Sequence, residues 1–210
     1  MRNAVLGLVI GMLMLCPITS TAGGEHQRRF SVELALVAGD ARLLLTEKEM
    51  SPVQRDWIEA RLHNSVNLLP LLARYYLQES GKTDAALIES LEKLQHLFHE
   101  LQPLYDHAQS LAYQYPINFH AEITQSLSEE EKSQSAEIYL QLCQRCHLVP
   151  GIEKSVVFGE LGSFARSMRP DEWLARMIGG LRGDSYTSYE NPFSDIQISL
   201  LFRYIRDEMP

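Results

Sequence analysis

Cysteine is scarce in this chain of 210 residues: there are three, at positions 16, 143 and 146. So few exclude a disulfide framework, and two of the three share one pentapeptide. Long apolar stretches are scarce as well. The run over residues 4–15 is too short to span a bilayer comfortably, and no later segment approaches transmembrane length. Positive charge is in deficit, with 19 Lys and Arg against 27 Asp and Glu and a formal net charge of −8. That balance excludes nucleic acid as a partner, because phosphate backbones demand a concentration of cations. An acidic surface suits a basic protein partner instead. No internal repeat or low-complexity tract is present. A hydrophobic content of 45% and a charged content of 22% belong to a chain that folds.

The first residues stand apart from the rest. Arg2 gives a positive start, residues 4–15 are apolar, Pro17 interrupts them, and Ser20-Thr21-Ala22 supplies small residues. This is the pattern of a secretory signal, expected to span residues 1–22 and to be cut after Ala22; an uncleaved anchor is the alternative. Cys16 suggests lipoprotein processing, but Leu15 before it is bulky where that processing wants a small residue. The expected mature protein is exported to the periplasm, has no membrane span, and keeps only Cys143 and Cys146.

Helical periodicity dominates the remainder, and the expected fold class is all-α. Phe30, Leu34, Val37, Ala41 and Leu44 recur at helical spacing, weakened slightly by Gly39. Ser51, Pro52 and Gln54 form a helix start with a capping box. Ile58, Leu62, Val66, Leu69, Ala73 and Tyr76 give that helix an apolar face, widened by Trp57 and Leu72; Pro70 is expected to kink or split it. Leu87, Leu91, Leu94, Phe98 and Leu101 share a narrow face that Pro103 is expected to stop, and Leu104, Ala108 and Leu111 mark a shorter piece. Residues 23–116 therefore read as an antiparallel helical bundle and residues 117–127 as a linker. Residues 128–210 read as a second helical unit. Ser128 with Glu131 caps a helix running through Ile138, Tyr139 and Leu142; Pro170 opens another; Ser194 with Gln197 caps the last, with Ile196, Leu200, Tyr204 and Ile205 as its stripe.

Cys143-Gln144-Arg145-Cys146-His147 carries the chemistry. Two cysteines about a turn apart can each add to a vinyl group of one porphyrin, and the adjacent imidazole then sits beneath the iron as proximal ligand. A redox dithiol calls for a βαβ setting, and no strand pattern flanks the pair. A structural zinc site needs four ligands, and there is no second cysteine pair. The motif thus points to one covalently bound haem c. Pro150 lies three residues after His147, where its carbonyl can accept from the imidazole N–H; a plain turn at Pro150-Gly151 is the alternative.

With its helix entering CxxCH, a loop, an intermediate helix and a closing helix with Leu and Tyr, the segment 128–210 resembles a class I type monohaem cytochrome c domain. Leu148 replaces the glycine that often follows the histidine, and Glu190-Asn191-Pro192-Phe193 stands where that family has Met-Pro. The segment Pro170-x2-Trp173-x3-Met177 is similar to the Trp-x3-Met of cytochrome domains serving periplasmic dehydrogenases. The resemblance implies that Trp173 and Met177 line the cofactor pocket and that Met177 is the sixth iron ligand. A core methionine filling a gap is the alternative for Met177. Met168, Met209 and the histidines of the N-terminal half are the other ligand candidates. Arg166, Arg169, Arg176 and Arg182 are candidates for haem propionates, each with a solvated surface role as its alternative.

A haem with two protein ligands exchanges electrons with little rearrangement. The expected function is single-electron transfer to a redox partner protein, a non-enzymatic role, with the N-terminal bundle as a docking or assembly module. A gas- or peroxide-binding haem with an open sixth position is the alternative from another class, and a structural scaffold is a third.

Overall fold

In the computed structural model the described residues are 24–48, 50–144, 161–179 and 193–209. Cys146, His147, Leu148, Pro150, Arg182, Pro192 and the expected signal at 1–22 lie outside them. Among the described residues there are α-helices and no strand, so the fold is all-α.

Helix α1, Glu25–Thr46, is unusual in being buried on every side: residues 30–41 are all sequestered. A helix that is apolar all round has neighbours all round. Phe30, Leu34, Val37, Ala41 and Leu44 face one hydrophobic cluster, while Val32, Ala35 and Leu36 face another. Helix α2, Pro52–Ser80, starts with the expected capping box, Ser51 Oγ accepting from the Gln54 N–H and Gln54 Oε1 from the Ser51 N–H. It does not split at Pro70, which lies inside one continuous helix. Leu69, Leu72 and Ala73 are buried on both sides of that proline, and their burial outweighs one missing backbone hydrogen bond. Trp57 does not widen the apolar face; it is 70% exposed. Gly81, at φ 64°, ends α2 in the left-handed region that suits glycine.

Helix α3, Ala85–His96, ends before the expected stop, and Pro103 lies in the first turn of α4, Leu101–Gln114. A first-turn N–H has no intrahelical acceptor, so proline is tolerated there instead of terminating the preceding helix. Leu87, Leu91, Leu94, Leu104, Ala108 and Leu111 close the first cluster over α1 and α2.

The second cluster is built by α5, Glu129–Leu142; α6, Leu161–Ser167; α7, Pro170–Ile178; α8, Asp195–Arg203; and a π-helical turn, Tyr204–Glu208. Ile198, Leu201, Phe202 and Ile205 supply the last helix's buried side, whereas Ile196 is 68% exposed and does not belong to the expected stripe. The segment 117–127 is strapped to this unit. Ile117, Phe119 and Ile123 pack against the cluster, the Glu122 carbonyl accepts from Ser199 Oγ, and the Gln125 carbonyl accepts from Arg203 at 3.2 Å. Among the described residues no helix is long and apolar enough to cross a membrane.

Candidate functional site

Helix α5 delivers the cysteine motif. Ser128 Oγ accepts from the Glu131 N–H and Glu131 returns a bond to the Ser128 N–H at 2.8 Å, while three glutamates in the first turn complement the helix dipole. These bonds hold the Glu131 carboxyl below its ordinary pKa, so the cap is fully formed above the carboxylate range and is lost as pH falls through it. At the other end Cys143 directly follows Leu142, its N–H donating to the Tyr139 carbonyl at 2.8 Å. Tyr139 anchors this turn in the second cluster. Burial, and then the charges of Cys143 and Tyr204, push its phenol up, so it remains protonated near neutrality.

Three of the residues that sequence spacing assigns to one site are described. Cys143, Trp173 and Met177 all pack in the second cluster. Trp173 is its deepest large side chain, 1% exposed, and Cys143 and Met177 are partly buried against it. Met168 is in the same cluster and 3% exposed, and Met209 is partly buried there, its carbonyl accepting from Arg166 Nη1 at 2.7 Å. The chain end at Met209 is therefore tied down. Cys146, His147 and Pro150 fall outside the described residues.

Ser65 Oγ in α2 and two polar atoms in this unit, Trp173 Nε1 and Arg206 Nη1, are buried without a hydrogen-bond partner among the described residues. An unsatisfied buried donor costs about 1–3 kcal/mol, more when it is charged. The haem implied by the motif fits the two donors of this unit. Haem propionates are acceptors and haem faces are apolar, and Cys143 is partly buried at the edge of the cluster that holds Trp173 and Met177.

The other candidates are accounted for elsewhere. Arg166 donates to the carbonyls of Arg206 and Met209, and Arg169 pairs with Asp171 at 2.7 Å. Arg176 is neither solvated nor aimed at a propionate: it is buried between Asp40 at 3.1 Å and Glu172 at 2.8 Å. Burial pushes its pKa down, but the two carboxylates more than reverse this and keep it charged. In the N-terminal half His26 stacks on Tyr75, His63 and His99 pack on Phe98, and His107 bonds Ser90, while His96 and His120 are exposed. None of these six histidines packs in the second cluster.

The network around Arg176 is what sequence reading missed. Asp40 also holds Arg61, and Glu172 also holds Arg42 at 3.0 Å, so three guanidinium groups converge on two buried carboxylates. The local signal was Gly39 and Asp40 within the otherwise apolar run 34–41 of α1. No protein-family model, curated protein or solved structure matches this chain.

Proposed function

We propose that this protein is an exported, periplasmic c-type cytochrome that carries single electrons through one haem attached to Cys143 and Cys146. The observation that carries this reading is Cys143-x-x-Cys146-His147 following directly on a capped helix whose last turn is anchored in the cluster of Trp173 and Met177. Bound haem supplies a one-electron couple whose potential a thioether ligand raises. The chain's own residues do the rest. Cys143 and Cys146 would each add a thiol across a vinyl group, fixing the cofactor so that it cannot dissociate. His147 would hold the iron through its imidazole, and the Pro150 carbonyl would accept the other ring N–H, an interaction that sets ring orientation and basicity. Trp173 Nε1–H would donate to a haem carboxylate, and Met177 would hold the iron through its thioether. The net charge of −8 favours a basic redox partner.

With both axial positions filled, the reduced wild-type protein is expected not to bind carbon monoxide, and the oxidised form to show the weak near-infrared sulfur-to-iron band. Met177→Ala should abolish the band and bind carbon monoxide at once on reduction. Wild type that binds carbon monoxide as readily as this variant would replace electron transfer with gas or peroxide chemistry. If Met168→Ala loses the band and Met177→Ala keeps it, electron transfer stands with Met168 as ligand.

A further inference from the structure

Helix α7 has two working sides. One carries Trp173 and Met177 into the second cluster. The other carries Glu172, Ala175, Arg176 and Gly179, residues three and four apart, onto α1. The approach is close. A Cβ at Gly39 of α1 would stand 2.6 Å from Glu172 Cδ, and one at Gly179 would stand 3.3 Å from Leu36 Cδ1. Ala175 is fully buried against Val32, Ala35 and Leu36. A helix of nine residues has no stability of its own in water. Its height and rotation are therefore set by what it lies on, and on one of its two sides that is α1.

We infer that α1 positions α7, with Asp40 and Gly39, acting through Arg176 and Glu172, as positioning residues for Met177; the N-terminal bundle thus determines whether the haem keeps its sixth ligand. The inference rests on the proposed ligation by Met177. Buried ion pairs contribute little net stability, but they hold a fixed geometry well. Arg176 is adjacent to Met177 and bonds both carboxylates, Asp40 from α1 and Glu172 from its own helix. Rotation or sliding of α7 would draw this guanidinium away from Asp40.

Removing Arg176 leaves a balanced pair on each side, since Asp40 retains Arg61 and Glu172 retains Arg42. Arg176→Met in the haem-loaded full chain is therefore expected to fold, with the same added haem mass and unchanged helicity. It should lose at least half of the near-infrared band and gain carbon monoxide binding when reduced. Gly39→Ala, a milder change that displaces Glu172 and leaves Arg176 intact, should do the same to a smaller degree, and Arg176→Lys should recover part of the band. If Arg176→Met and Gly39→Ala both keep the full band and still refuse carbon monoxide, α1 is an anchor only and the inference is wrong. A wild-type protein that holds covalent haem but lacks the band also overturns it, while leaving haem attachment standing. A wild-type protein without covalent haem removes the functional reading itself, and the mass separates that case from the other two.

Discussion

Asp40→Ala is expected to lower the unfolding free energy by about 3–5 kcal/mol, as breaking a buried charge network does. Asp40 is completely buried and is the acceptor shared by Arg61 and Arg176. Without it Arg61, which is partly exposed, can turn toward water. Arg176 cannot, because it is only 6% exposed and its one remaining partner, Glu172, already serves Arg42. The variant thus strands a guanidinium inside the junction between the two hydrophobic clusters. Urea unfolding followed by circular dichroism checks this, and the fair control is Arg55→Ala, which removes an exposed pair with Glu59 at 3.8 Å. Exposed helical pairs of that kind contribute about 0.3–0.5 kcal/mol. A shift for Asp40→Ala no larger than the control would show that the network is hydrated and does not lock α7 to α1.

Trp173→Ala is the second large effect, about 3–5 kcal/mol, because it empties the centre of the second cluster. The more informative variant is Trp173→Phe, which keeps a ring and deletes the N–H. That N–H is buried and has no hydrogen-bond acceptor among the described residues. Its removal relieves a desolvation cost of about 1–3 kcal/mol, offset by the space the smaller ring leaves. Stability of the haem-free chain should therefore change by less than about 1 kcal/mol. In haem-loaded protein the same substitution deletes a hydrogen bond to a carboxylate and should cost about 1.5–3 kcal/mol. Equal effects in the two forms would mean that Trp173 does not donate to the cofactor.

Much of the fold was legible because its signals are local. Ser51 with Gln54, Ser128 with Glu131 and Ser194 with Gln197 each span three residues, and each forms the expected capping box. The cysteine motif and the Trp173–Met177 pair are equally short-range. Position within a helix is not a local signal. Pro103 stops nothing because a first turn tolerates it, and Pro70 breaks nothing because burial on both sides holds α2 together. The second face of α1, formed by Val32, Ala35 and Leu36, went unread, because its partner Ala175 lies far along the chain. Asp40 and Arg176 are 136 residues apart, and no periodicity links them. Nor does sequence show that the Trp173 N–H lacks an acceptor, since that depends on every neighbour of a buried atom.

The central claim is that Cys143 and Cys146 hold one haem covalently. The most direct test is the intact mass of the protein expressed with a haem c maturation system, followed by mapping of the peptide that contains residues 143–147. The account expects the polypeptide plus one haem, retained in denaturant, with the added mass on that peptide and absent from a Cys143→Ser, Cys146→Ser double variant. A mass equal to the bare polypeptide, or haem that dissociates on unfolding, would contradict it.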